Sequence, residues 1–278
     1  MKHTLLALLL ILPAAGIAQT PAPLKVAVQT FSFNRFTLDE ALAKISAAGA
    51  KNVECYIGQK IGDGIEEKVS PAMSDGAAAK VAQLLAKHGV RLVSLGVCIQ
   101  AKEEDIIANC RLASKLGAEY INVQVPPDAI ALYSKHAAEC GLKVAVHNHA
   151  SDSKLPYYKP ENVLAAIQGL DNAGACPDNG HYARSGGDVL ENLRALDGKI
   201  FLIHLKDMDK AGALDATVVP FGEGIVDLPA VISELQRQRF GGYVVIELEG
   251  KAAADGEASL KKNLAYLAGP GSEKTAGH

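Results

Sequence analysis

Short apolar runs alternate along the chain with stretches whose apolar positions recur every three to four residues. The runs read as buried strands, the spaced stretches as helices with one inward face. Strands are expected at 24–30, 52–57, 91–97, 120–125, 143–148, 173–177, 200–206 and 243–248. A helix is expected from Thr37 to Gly49, and others near 74–88, 103–116, 128–140, 160–169, 187–197, 227–238 and 257–267. The first helix carries its own punctuation. Thr37 stands at the N-cap with Glu40 three residues on, the pattern of a capping box. Leu38, Ala41, Leu42 and Ile45 fall on one face, and Gly49 ends the element.

Eight strands, each followed by a helix with no break in composition, predict a single α/β domain over 24–268, a (β/α)₈ TIM barrel. An open doubly wound sheet shares this alternation but binds nucleotides through a glycine-rich first turn. Here that turn is Phe31-Ser32-Phe33-Asn34, with neither a GxGxxG nor a P-loop pattern, which argues for the barrel. The longest strand-to-helix connections follow the second, fifth, sixth and seventh strands, and in a barrel such loops build the active-site face.

The N-terminus changes this picture only locally. Met1-Lys2-His3 is basic, Leu5 to Leu12 is apolar throughout, and Gly16-Ile17-Ala18 ends small-x-small. Residues 1–18 are therefore expected to be a secretory signal peptide, 19–23 a linker and 269–278 a flexible tail. The apolar run is too short to span a bilayer, so no membrane anchor is expected after cleavage, and a periplasmic location follows. The 278 residues are 49% hydrophobic and 21% charged, as in a globular protein with a large core. Loss of Lys2 with the leader leaves the mature chain one unit more acidic than the formal −3 of the whole. That charge argues against a nucleic-acid partner. The cysteines Cys55, Cys98, Cys110, Cys140 and Cys176 are odd in number and lack a CxxC pattern; they read as small buried residues, with Cys110–Cys140 the one pair considered for a bridge.

The candidate chemistry lies at the ends of the last four strands. The fifth runs Val144-Ala145-Val146-His147-Asn148-His149, and the sixth ends Cys176-Pro177-Asp178. The seventh reads Ile203-His204-Leu205-Lys206-Asp207, and the eighth Val245-Ile246-Glu247-Leu248-Glu249. Apolar strands leading into His147, Asp178, His204 and Glu247 place four metal-capable side chains at one height. Each would otherwise need its own buried polar partner, whereas one shared ion satisfies all four. Two carboxylates and two neutral imidazoles neutralise one divalent ion, and mixed nitrogen and oxygen ligands suit Mn, Co, Ni or Zn better than Mg or Ca.

In these strand ends the mature chain resembles the xylose isomerase-like barrels, the sugar phosphate isomerase/epimerase superfamily. The resemblance is carried by the stretch from Gly141 to His149, by Pro177-Asp178-Asn179-Gly180-His181, by Ile203-His204-Leu205-Lys206-Asp207, by Val245-Ile246-Glu247 and by Phe221-Gly222-Glu223-Gly224-Ile225-Val226-Asp227. It implies metal ligands from strands five to eight, commonly Glu, Asp, His and Glu. Asp178, His204 and Glu247 match that set. The fifth strand departs, carrying His147 in an HNH triplet that resembles one exported branch.

Further polar residues are candidates for work on a substrate. His149 and Lys206 lie two residues beyond His147 and His204, so strand alternation turns them to the same side. His149 is the candidate general base, or else a hydrogen-bonding neighbour of the ligands. Lys206 is expected to hold an oxyanion, or else to pair with Asp207 or Glu247. Glu54, ending the second strand, is expected at the mouth as an acid/base or hydroxyl binder, with a rim charge the alternative. His181 and Gln124 are expected to bind hydroxyls, while His88 and His136 lie on helices and read as structural.

The expected activity is removal of a proton beside a metal-bound sugar carbonyl, giving an enediolate. Isomerisation, epimerisation and β-elimination share that step, so a 3-keto-glycoside lyase stands beside the isomerase/epimerase reading. The small-molecule partner is a sugar or keto-glycoside, and no basic phosphate cradle is visible. A homo-oligomer is left open. A DNA-cleaving barrel would need further ligands on early strands, where Val97-Cys98-Ile99-Gln100 offers no histidine. A non-catalytic sugar-binding barrel predicts metal binding without proton exchange.

Overall fold

All eight expected strands form, most trimmed at their C-terminal ends where polar residues turn toward the mouth. They are Lys25–Gln29, Asn52–Cys55, Arg91–Cys98, Tyr120–Val123, Lys143–His147, Ala173–Cys176, Leu202–Leu205 and Tyr243–Ile246, counted below as the first to eighth strands. The computed structural model describes residues 23–269. The expected leader 1–18, linker residues 19–22 and tail residues 270–278 lie outside the described residues.

Strands one to six pair in sequence order, the eighth lies against the first and the seventh against the eighth, all parallel. The sixth and seventh meet through isolated bridges, Ala175 to Ile200 and Asp178 to His204, which bring the sheet nearly to closure as a TIM barrel. The expected start of the seventh strand at residue 200 is such a bridge rather than regular ladder. The capping box at Thr37 and Glu40 forms, and Leu38, Ala41, Leu42 and Ile45 are all fully buried. Gly49 takes a φ of +101°, which releases the chain toward the second strand at a conformation other residues resist.

The long loops carry extra elements: a hairpin of Lys60–Gly62 with Ile65–Lys68, another of Asp207–Met208 with Val218–Val219, and a short helix Asn179–Arg184. The expected helix at 187–197 narrows to Val189–Ala195, and that at 160–169 to Pro160–Ala166. No helix among the described residues is long and apolar enough to cross a membrane. All five cysteines are free thiols, so the considered Cys110–Cys140 bridge is absent. Burial, with Cys140 adding to it, pushes the Cys110 thiol up to about 12, which disfavours the thiolate that disulfide exchange requires.

Most of the core lies between sheet and helices, but a second cluster fills the barrel itself: Ala27, Val93, Tyr120, Ala145, Cys176, Leu202, Tyr243 and Val245. This plug is the floor on which the polar residues stand. Close backbone contact at its edge requires glycine. A Cβ on Gly242 would lie 1.8 Å from the Phe201 carbonyl oxygen, whereas one on Gly241 meets nothing within 4 Å. Gly242→Ala is therefore expected to lower the stability toward urea by about 1–3 kcal/mol, with Gly241→Ala changing it by less than ~0.5 kcal/mol. Equal urea midpoints for the two variants would contradict this reading of the barrel edge.

Candidate metal centre

Strand alternation builds the site in layers. Two residues beyond the apolar floor residues Ala27, Tyr120, Ala145, Cys176, Leu202 and Val245 come Gln29, Asn122, His147, Asp178, His204 and Glu247, all buried. Each of these strands thus passes from apolar floor to polar layer in one inward step. Two residues further on come Phe31, Gln124, His149, Lys206 and Glu249, which form the mouth or support it.

Four of these side chains converge. One ligand atom from each of His147, Asp178, His204 and Glu247 lies within 4.8 Å of the other three, the arrangement one metal ion needs. His147 Nε2 stands 3.3 Å from His204 Nδ1 and 3.5 Å from Asp178 Oδ2, while Glu247 Oε2 is 3.1 Å from His204 Nδ1. Each carboxylate is aimed by its surroundings. Asp178 caps the short helix Asn179–Arg184 with Oδ1, accepting from the His181 amide, so that Oδ2 faces the cluster.

The seventh-strand histidine is aimed from below. Glu54 is fully buried and accepts from Gln29 (2.6 Å), Ser94 and Asn122, and its Oε1 lies 2.8 Å from His204 Nε2. With Nε2 directed at Glu54, Nδ1 is the nitrogen left for an ion. Burial favours protonation of Glu54, but the charge and hydrogen bond of His204 outweigh it and hold the carboxyl below its usual range. Burial likewise opposes charge on His204, yet Cys176, Glu54 and Glu247 push the imidazole well above its ordinary value. His147 has no such partner: its Nδ1 is buried without a hydrogen bond among the described residues. Edge-to-face contacts hold its ring instead, with centroids 4.6 Å from His204 and 5.0 Å from His149.

Two asparagines fix the backbone at the weakly paired edge. Asn148 accepts from the Asp178 amide (2.8 Å) and donates to its carbonyl (3.2 Å). Asn179 repeats the device one strand on, accepting from the Lys206 amide (2.8 Å) and donating to its carbonyl (2.7 Å). Asp207 points away from the cluster and accepts from the amides of Met208, Gly222, Gly224 and Val226, anchoring the loop that leads to helix Leu228–Arg237.

The residues expected to act on substrate separate into two groups. His149 and His181 line a cavity of about 430 Å³ at the mouth together with His147, Glu247 and Glu249. Glu54, Lys206 and Gln124 are not among its lining residues. Glu54 lies beneath the cluster rather than at the mouth: it is fully buried and meets His204 at Nε2, on the side of the ring away from Glu247. Lys206 is fully buried, with its ammonium 2.6 Å from Asp178, 2.8 Å from Glu247 and 2.6 Å from Glu249. An ammonium has three donors, so none is left for an oxyanion. Burial works against its charge, but Asp178, Glu247 and Glu249 raise its pKa well above the ordinary value. Gln124 accepts from His149 Nδ1 and donates to Ser153 (3.1 Å), which makes it a support for His149. Burial, with His147 adding to it, pushes His149 down to about 3 and also depresses His181 well below its usual value, leaving both rings neutral. His88 and His136 sit on outer helices beside Asp39 and Glu103, as expected of structural histidines.

Glu249 is a residue the sequence reading missed. It stands two residues beyond Glu247, the same spacing that singled out His149 and Lys206, and it joins Lys206 to Arg184 (2.8 Å). Gln29, Ser94 and Asn122 were missed for another reason: single amides and hydroxyls in apolar strands carry no spacing signal. The charges test whether an ion fits. Glu54, Asp178, Glu247 and Glu249 face only Lys206 and Arg184 as permanent cations, an excess of negative charge that a divalent ion would balance.

Two substitutions probe this geometry through metal content. Asp178→Asn is expected to lose stoichiometric binding of Mn²⁺ or Zn²⁺. Glu54→Gln, which keeps the shape but not the charge behind His204, is expected to weaken binding about 10–100-fold. Both are read by titration against a chelating dye, and unchanged affinity in Glu54→Gln would show that His204 does not depend on it.

The family model described as the xylose isomerase-like TIM barrel matches residues 42–269. An L-ribulose-5-phosphate 3-epimerase of Escherichia coli is 35% identical over 86 residues, 31% of this chain and 29% of that protein. An inosose dehydratase of Lactiplantibacillus plantarum is 26% identical over 131 residues, 42% of this chain and 43% of that protein. The matched segments thus span less than half the length of either relative. A solved structure of an uncharacterized protein from Parabacteroides distasonis is 28% identical and superimposes with a TM-score of 0.71, covering 88% of this chain and 98% of that one. With most of its length matched by the family model and eight parallel strands around a buried His-Asp-His-Glu cluster, the chain belongs to the xylose isomerase-like TIM barrel family.

Proposed function

We propose that this protein is a metal-dependent enzyme that moves a proton on the carbon beside a sugar carbonyl, as an isomerase or epimerase does. One observation carries the reading: the four convergent ligand residues adjoin a cavity in which a positioned histidine, His149, stands with its ring 5.0 Å from that of His147. A divalent ion held by His147, Asp178, His204 and Glu247 would supply Lewis-acid polarisation of the carbonyl. The two nitrogen donors favour Mn, Co, Ni or Zn over Mg or Ca.

In this proposal His149 is the base. Its Nδ1 is engaged by Gln124, which Ser153 holds in turn, so Nε2 is the proton acceptor and the ring is oriented before substrate arrives. His181, with its ring centroid 4.8 Å from that of His149, is placed to bind a substrate hydroxyl. Lys206 and Glu54 act through the ligand residues: one holds Asp178 and Glu247, the other His204. No lysine or arginine among the described residues lines the cavity, which favours an unphosphorylated sugar over a sugar phosphate.

A second reading shares the first step. If a substituent leaves from the next carbon after the proton is removed, the result is β-elimination, as from a keto-glycoside. The apolar side of the cavity, formed by Phe31, Tyr56, Ile57, Val97 and Ile99, favours this reading by offering room for a leaving group. The partial similarity to an inosose dehydratase agrees with it.

The test is exchange from ²H₂O into a panel of ketoses, aldoses and 3-keto-glycosides by the Mn²⁺-loaded protein. Deuterium is expected beside the carbonyl, and an aglycone released with it selects elimination. His149→Asn is expected to slow exchange by about 100-fold or more with metal content unchanged. Exchange at the wild-type rate in that variant would remove His149 as the base. A wild-type protein that binds metal and sugar without exchange would be a binding barrel instead.

A further inference from the structure

The two walls of the mouth cavity differ in chemistry. His147, His149, His181, Glu247 and Glu249 form one side; Phe31, Tyr56, Ile57, Val97 and Ile99 form the other. The apolar side is built by the short helix Thr30–Phe33 after the first strand and by the ends of the second and third strands. Phe31 and Tyr56 pack edge to face with centroids 5.0 Å apart, which fixes both rings. Ile99 is 67% exposed and stands at the rim.

Few hydrogen-bonding groups on that side remain for a sugar. The Gln29 amide donates to Glu54 and to the Gly96 carbonyl, and its oxygen accepts from the Phe31 amide. Gln100 accepts from Asn109 through its side-chain oxygen, which leaves the Gln100 amide nitrogen and the Tyr56 hydroxyl as the side-chain groups free on that side among the described residues. Two such groups cannot satisfy a polyhydroxylated ring laid against this wall, which would leave most of its hydroxyls without partners and cost binding energy. An apolar group laid there would lose water contact at no such cost. A cavity of about 430 Å³ also falls within the range of sites that accept molecules larger than one sugar ring.

We propose that Phe31, Tyr56, Ile57, Val97 and Ile99 form a second subsite, and that it receives an aryl group attached to the sugar. The substrate class is then an aryl glycoside or its keto-oxidised form, with the sugar on the histidine side and the aryl group between the Phe31–Tyr56 pair and Ile99. This assignment rests on the proposed function for which end of the substrate is a sugar, while the aryl preference itself is read by binding alone.

The experiment measures equilibrium binding by calorimetry to the Mn²⁺-loaded protein, using methyl and phenyl glycosides of glucose, galactose and mannose as matched pairs. Within pairs that bind, the phenyl glycoside is expected to bind at least about tenfold tighter. Ile99→Ser and Phe31→Ala are each expected to reduce that preference to threefold or less. Ile99 is exposed, so its substitution leaves the fold intact, which circular dichroism checks. Equal affinities within the pairs would overturn the proposal. So would a phenyl preference that survives both substitutions, or no binding of any phenyl glycoside. Failure of the proposed function shows separately, as absent deuterium exchange in a protein that retains the phenyl preference.

Discussion

His204 is held between two carboxylates, Glu54 below and Glu247 above, and the geometry of the cluster depends on that line. A buried charge left unpaired costs several kcal/mol, so Glu54, whose one cationic partner among the described residues is His204, is not tolerable without that imidazole. Glu54 is in turn surrounded by donors from the first, third and fourth strands, Gln29, Ser94 and Asn122. One ligand residue of the second half, His204, is therefore set by polar groups on strands one to four. The barrel contributes all the way round, although only its second half offers ligands.

That arrangement needs a floor and a clasp. The floor is the apolar plug inside the barrel, which keeps water from reaching Glu54 from below. The clasp is needed because the sixth and seventh strands, which carry Asp178 and His204, share only isolated bridges. Asn179 supplies it by pairing with both backbone groups of Lys206, and Asn148 ties Asp178 to the fifth strand in the same way. The middle residue of the HNH triplet thus has a structural reason to be an amide: it fixes one ligand strand while its neighbours face the cavity. Lys206 completes the enclosure, holding Asp178 and Glu247 together from the side of Glu249.

Much of this was legible in the sequence because period and position carry it. The eight strands announced themselves as apolar runs, and the first helix by Thr37, Glu40 and Gly49. The four ligand residues were legible as a set, since each ends an apolar strand at the same height. Height was legible less well than facing. Glu54 faces inward as alternation requires, but only its contact with His204 Nε2 and its complete burial show that it lies beneath the cluster. Lys206 was placed on the right side of its strand, yet its three carboxylate partners come from two other strands. Gln124 was singled out as a polar strand end, but its bond to His149 joins the fourth and fifth strands and leaves no local trace. The short helix that lets Asp178 act as a cap was hidden by its length, since Asn179–Arg184 is too brief to show periodicity.

The central claim is that His147, Asp178, His204 and Glu247 share one ion. Crystals grown with Mn²⁺ and measured at its absorption edge test it most directly. The account predicts one anomalous peak per chain, with His147 Nε2, Asp178 Oδ2, His204 Nδ1 and Glu247 Oε2 about 2.0–2.3 Å away. An anomalous map with no peak there, or a peak elsewhere while these side chains remain bonded to one another, would contradict it.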